Sequence, residues 1–162
     1  AVDDESIEDS VGKLLREKNV TISSYENLTG GMVAQRLHQA SPEHFIEGTI
    51  GTSTASVQRL LDYTGEHKFE YEISRDGEYL AERIALGIQK YTDSDFGLAV
   101  YGITDPKNTS GNLALGKTSI SITGKNFSKS RSYNIAGKGH PDRVRMSLNA
   151  IELVRRVLKE SS

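Results

Sequence analysis

A chain of 162 residues, 36% hydrophobic and 26% charged, is long enough to bury the core of one domain and too apolar for disorder. A formal net charge of −2 gives no electrostatic footprint for nucleic acid or an anionic membrane surface, and the absence of cysteine excludes disulfides and thiolate metal sites. No stretch approaches the roughly 18 apolar residues that span a bilayer, and no signal peptide is visible, so a cytoplasmic location is expected. The first residue is Ala1 rather than Met, which reads as the cut end of a longer chain.

In chain order, an acidic opening leads into a helical face of Val11, Leu14 and Leu15, with Lys13, Arg16 and Lys18 late, as the helix dipole favours. Residues 20–25 (VTISSY) predict a strand. Gly31 to Ala40 predicts a helix with Val33 and Leu37 four apart. A strand is expected over 48–53 (GTIGTS), followed by a short helix over 54–62 carrying Val57, Leu60 and Leu61. Residues 63–74 read as irregular or β-like, with Phe69, Tyr71 and Ile73 alternating. Leu80, Ile84 and Ile88 give a helical spacing over 76–91, and 96–103 (FGLAVYGI) is the apolar run of a central strand. The turn-rich stretch 104–115 reads as a loop, and the alternating segments around Gly124-Lys125-Asn126 as a hairpin. The final helix, 140–160, is expected to bury Val144, Leu148, Ile151 and Leu158. Strands alternating with helices argue for a three-layer α/β/α sandwich, and the late hairpin for a mixed, largely parallel sheet.

Three stretches could hold chemistry. Thr29-Gly30-Gly31 joins a strand to a helix, where uncovered N–H groups at the positive end of a helix dipole bind phosphates or carboxylates. The same residues also read as a plain helix start with Thr29 as N-cap. In GHPDRVR (139–145), Arg145 lies early enough in its helix to reach a ligand, or else faces solvent. The loop after Gly102 leaves the carboxyl end of a central strand, the usual ligand position in α/β folds, or merely connects. Histidines 38, 44, 67 and 140 have no ligand spacing, so no metal and no cofactor is expected. Neither a Gly-x-Ser-x-Gly elbow nor a Walker-type loop occurs.

Together these stretches resemble one family. YENLTGGMVAQRL (25–37) looks like the Glu-Ser-x-Thr-Gly-Gly signature of the competence/damage-inducible protein A (CinA) C-terminal domain, the nicotinamide-nucleotide amidase fold. FIEGTIGTS (45–53) resembles its Phe-x-Gly-Gly-x-x-x-Tyr-Ser strand, and the segment 73–106 its Val-Ser-Glu helix followed by Gly-Ile-x-Gly-Pro. GHPDRVRMSLNAIEL (139–153) is similar to the closing Gly-Asp-Arg-x-x-Val-Arg helix. The resemblance runs nearly end to end and implies one domain over 1–162, excised from behind an N-terminal nucleotide-processing domain. The implied chemistry is hydrolysis of the amide of nicotinamide mononucleotide in pyridine-nucleotide salvage, by a serine assisted by a tyrosine and a lysine, with no metal.

Carried over position by position, the serine aligns with Asn27, the tyrosine with Thr52, and the lysine falls at or near Val57. None of the three can replace its counterpart. Glu26, Thr29, Gly30, Gly31, Gly48, Ser53, Gly102, Ile103, Pro106, Gly116, Val144 and Arg145 still match, whereas a glycine of the loop has become Asp105, a carboxylate that would repel a phosphate. Loss of a serine nucleophile lowers turnover about a million-fold, and binding with an oxyanion hole leaves only about 10³–10⁴ over water. The expectation is therefore an amidase-inactive domain that serves as a nucleotide-binding, scaffold or dimerisation unit. Its phosphate-contacting residues would be Thr29, Gly30, Gly31, Gly102 and Arg145. The partner expected is a pyridine nucleotide or another phosphate-bearing small molecule, with a second copy of the chain in a homodimer, and neither nucleic acid nor membrane. The alternative is an active amidase or related hydrolase with a displaced hydroxyl, for which Ser24, Thr29 and Ser53 are the candidates.

Overall fold

The computed structural model describes residues 5–51, 53–65, 77–102, 117–135 and 139–161. Helix α1 (Ile7–Lys18) begins with a capping box: Ser6 Oγ accepts from Asp9 N at 3.1 Å, and the Asp9 carboxylate accepts from Ser6 N at 3.4 Å. It ends at Asn19 in the left-handed region, φ 51°, whose N–H returns to Arg16 and Leu15. Then follow β1 (Ile22–Glu26), α2 (Met32–Ala40), a 3₁₀ turn over Pro42–His44, β2 (Phe45–Ile50) and α3 (Thr54–Asp62). Helix α4 (Gly77–Thr92) leads into β3 (Phe96–Gly102). The hairpin β4 (Thr118–Gly124) and β5 (Phe127–Tyr133) turns through Asn126 at φ 64°, and α5 (His140–Glu160) closes the chain.

The sheet order is β2-β1-β3-β4-β5. β2 and β3 both pair parallel to β1, β4 runs antiparallel to β3, and β5 antiparallel to β4. Four of the five strands thus point the same way, which bears out the mixed, largely parallel sheet.

Period-two alternation sends the central strands' side chains to two separate cores. On one face Ile22, Leu98, Val100, Ile120 and Ile122 pack with Val11 and Leu15 of α1, Val33 and Leu37 of α2, and Met146, Ile151 and Val154 of α5. On the other, Tyr25, Ala99 and Tyr101 meet Val57 and Leu61 of α3 and Leu80, Ile84 and Ile88 of α4. Helices on both faces make the three layers. A partly buried ion pair knits one layer: Arg36 on α2 reaches Glu8 on α1 at 2.5 Å, and its Nε donates to Ser147 Oγ on α5 at 2.9 Å. Removing Arg36 would leave the buried Glu8 carboxylate without its partner.

Two sequence expectations need correction. β2 spans Phe45–Ile50 rather than 48–53, because the chain leaves the sheet at Gly51. Leu148 is exposed and Val144 half-buried rather than buried, since the inward stripe of α5 runs through Met146, Ser147, Ala150, Ile151, Leu153 and Val154, and both fall outside it. The alternating stretch expected around Phe69, Tyr71 and Ile73 and the loop 104–115 lie outside the described residues.

Candidate functional site

At the carboxyl end of β1 the chain turns through Asn27, Leu28, Thr29, Gly30 and Gly31 into α2. Gly31 is the N-cap, at φ 110°, a region that side-chain-bearing residues rarely adopt, and it offers no side chain to the helix. Thr29 is therefore not the cap that the sequence predicts. Glu26 takes that role from the last position of β1. Its Oε1 accepts the Thr29 hydroxyl at 2.5 Å and the Val33 N–H at 3.0 Å, while Oε2 accepts the Ala34 N–H at 2.9 Å. A carboxylate of the protein thus sits where the helix dipole favours an anion. Glu26 matches the signature quoted for the resemblance, but a strand-end glutamate seven and eight residues before the N–H groups that donate to it gives no local capping pattern to read.

Asn27 continues the ladder between β1 and β3. Its N–H donates to Val100 O at 3.2 Å. Its side-chain Nδ2 donates to Gly102 O at 2.9 Å, and Oδ1 accepts from Gly102 N at 3.0 Å and from Leu28 N at 2.6 Å. Gly102 permits the approach: a Cβ there would stand 2.0 Å from Leu28 Cδ2 and 3.0 Å from Thr118 Oγ1. The carboxamide therefore works as a peptide unit joining two strand ends.

Of the remaining site residues, Gly30 is exposed at φ 61° and donates its N–H to Asn27 O at 3.2 Å. Arg145 is exposed in the second turn of α5, with no hydrogen bond or ion pair to the described residues. Asn27 and Gly102 are thus brought into contact, and Thr29, Gly30 and Gly31 lie in the turn beside them; no hydrogen bond or ion pair joins Arg145 to that turn. Val57, at or near where the resemblance expects a lysine, is 2% exposed among the apolar residues of α3 and α4. Thr52 lies outside the described residues.

The hydroxyls differ in what they can reach. Ser24 is fully buried and its Oγ has no hydrogen-bond partner. Thr29 touches the Glu26 carboxylate, the form a nucleophile–base pair takes. Yet Thr29 is 1% exposed and Glu26 is sealed, so a substrate carbonyl cannot come within bonding distance of either. Ser53 is exposed, and among the described residues no side chain hydrogen-bonds its hydroxyl. On the opposite face of the sheet burial pushes the Tyr25 phenol well above the ordinary tyrosine range, with neighbouring Tyr101 adding to the rise and a hydrogen bond with Ser56 opposing it. Burial likewise raises Tyr101 to about 12. Both phenols stay neutral near pH 7. As arranged, the groups at the ends of β1 and β3 brace the fold. No His, Cys, Asp or Glu cluster among the described residues is placed to hold a metal ion, and no helix there is long and apolar enough to cross a membrane.

Residues 4–158 match the sequence profile of the CinA C-terminal domain. The chain belongs to the CinA C-terminal domain family. A CinA-like protein of Geotalea uraniireducens is 31% identical over 160 residues, covering 98% of this chain and 38% of that protein. Another from Acaryochloris marina is 29% identical, over 96% of this chain and 38% of its own length. The chain therefore spans well under half the length of these curated relatives.

The solved structures show the same CinA fold. The competence damage-inducible protein A of Klebsiella pneumoniae superposes with a TM-score of 0.79 at 16% identity, covering 96% of this chain and 97% of that one. The competence/damage inducible protein CihA of Agrobacterium tumefaciens gives 0.76 at 18% identity, covering 99% of each. At such identities the likeness concerns architecture alone. Within the CinA signature, Glu26, Thr29 and Gly31 here hold the start of α2 in place, a structural use that needs no reaction.

Proposed function

We propose that this chain is a CinA C-terminal domain that does not hydrolyse amides and serves as a scaffold, holding partners or a second copy of itself within a longer protein. The observation carrying this reading is the Asn27 carboxamide, tied to Gly102 by hydrogen bonds of 2.9 and 3.0 Å where the resemblance calls for a serine nucleophile. An amide is neither a nucleophile nor a base, and this one has its acceptor and a donor engaged by backbone. The buried Val57 supplies no amine in support. Ammonia release from nicotinamide mononucleotide is the test. The expected result is a rate equal to the protein-free blank, and release that saturates with substrate would overturn the proposal.

A nucleotide-sensing role is a second reading, favoured by Arg145, which is exposed and makes no hydrogen bond or ion pair to the described residues. The scaffold reading has the stronger support, because the Val33 and Ala34 N–H groups that a phosphate would seek are bonded to Glu26. Calorimetric titration with nicotinamide mononucleotide separates the two: heat that saturates at millimolar ligand and vanishes in Arg145→Ala supports sensing. Sedimentation equilibrium tests the homodimer, and a strictly monomeric chain would count against self-association.

A further inference from the structure

On the α3–α4 face of the sheet, away from the Glu26 contacts with α2, a cleft of about 570 Å³ opens between β2, α3 and the last turn of α4. We infer that this cleft binds a ring carrying vicinal hydroxyls and no phosphate, as a sugar or a nucleoside presents.

The walls dictate the chemistry. Tyr63, at the end of α3, and Tyr91, in the last turn of α4, are 49% and 48% exposed. Their rings meet edge to face at a centroid distance of 5.3 Å and 61° between planes, which leaves aromatic surface turned outward against which a flat ligand or the C–H face of a sugar packs. Half-exposed rings gathered at the mouth of a concavity mark a contact surface more often than isolated exposed residues do. Leu60, 5% exposed, supplies the apolar floor.

Polar groups converge from two elements. β2 contributes Glu47 and Thr49, whose hydroxyl points to the Glu47 carboxylate at 3.4 Å. α3 contributes Arg59 and Asp62, the latter accepting from Gln58 Nε2 at 2.9 Å. Carboxylate oxygens accept from adjacent hydroxyls, and a guanidinium donates to ring or carbonyl oxygens. Among the described lining residues, Glu47 sets a carboxylate on the β2 wall, which disfavours a phosphate there. Size agrees, since about 300–1,000 Å³ is usual for small-molecule pockets.

Ser56 also lines the cleft, but its hydroxyl donates to Ser53 O at 2.8 Å and hydrogen-bonds the buried Tyr25, a phenol held neutral by its surroundings. The inference is independent of the fate of Asn27.

Saturation-transfer difference NMR on the intact chain, with adenosine, uridine, glucose, ribose and uridine 5′-monophosphate at millimolar concentration, tests it. Transfer to ring protons of adenosine or uridine alone identifies a nucleoside site, and transfer to glucose or ribose as well identifies a general sugar site; either outcome supports the inference. The monophosphate is expected to bind about tenfold more weakly than uridine. Tyr91→Ala and Glu47→Gln should each weaken binding about tenfold while leaving the circular dichroism spectrum unchanged. The inference is overturned if no compound receives saturation, if the monophosphate binds more tightly than uridine, or if both variants bind as the parent does.

Discussion

Asn27 and Gly102 face each other across the ends of β1 and β3 in a closed pair of hydrogen bonds, Nδ2 to Gly102 O at 2.9 Å and Gly102 N to Oδ1 at 3.0 Å. Residue pairing between the strands runs as far as Glu26 opposite Val100, and the Asn27 N–H makes the last backbone bond, to Val100 O, before the chain bends toward α2. The side chain then supplies the rung that the backbone no longer can. A carboxamide has the donor and acceptor of a peptide group on two separate atoms; a serine here is one atom shorter and carries both functions on a single oxygen, so it cannot reproduce the two bonds at their separate positions.

Asn27→Ser should therefore lose stability without gaining chemistry. The expected loss is about 1–3 kcal/mol, because Gly102 and Leu28 would be left with unmatched groups in a half-buried turn. Urea unfolding measures the stability, and ammonia release from nicotinamide mononucleotide should stay at the blank.

Glu26 offers a sharper case. Glu26→Ala strands the Val33 and Ala34 N–H groups and the Thr29 hydroxyl in a buried site, an expected loss of about 3 kcal/mol or more. Glu26→Gln keeps the size but turns an N–H toward those donors, so it should fall between the parent and alanine. The order parent, glutamine, alanine in the urea midpoint is the check; an alanine variant as stable as the parent would refute the capping role.

Val57→Lys would restore an amine where the family resemblance expects one. That position is 2% exposed and apolar, so the amine must either lose its proton or open the α3–α4 core. We expect a loss of about 3 kcal/mol or more in chemical unfolding, with no ammonia release.

Alkaline pH should unfold the protein through its two buried phenols. Tyr25 and Tyr101 have folded-state values raised above the unfolded tyrosine value near 10, so their contribution is fully present below about pH 10. Above it the unfolded chain releases protons that the folded chain retains, and stability declines as pH climbs toward and through the folded values. Absorbance at the tyrosinate band should show exposed tyrosines titrating first and these two only with the loss of near-ultraviolet circular dichroism. Tyr101→Phe should flatten the decline.

Most of the architecture was legible along the chain because each element buries a face with its own period. Val33 and Leu37, Leu80 with Ile84 and Ile88, and the run from Phe96 each announce an amphipathic helix or a buried strand. The sequence puts β2 too late because Gly48 to Ser53 carries no alternation, whereas the strand is defined by pairing with β1, from Ile22 opposite Phe45 to Glu26 opposite Ile50. Leu148 reads as inward from the sequence for a related reason. Spacing gives a stripe on a helix, but the layer it meets decides which neighbouring stripe is covered.

The residues at the ends of β1 and β3 divide in the same way. The order of residues alone determined the alternation of strands and helices, the family motifs and the absence of a serine at Asn27, because composition and local periodicity are properties of neighbours in the chain. Only the tertiary structure decided that Glu26 caps α2, that Asn27 serves as a rung to Gly102, and that Ser24 is sealed while Tyr63 and Tyr91 meet at a cleft. Those facts join groups far apart in sequence, and a hydrogen bond or a desolvated pocket exists only once folding has set their distances.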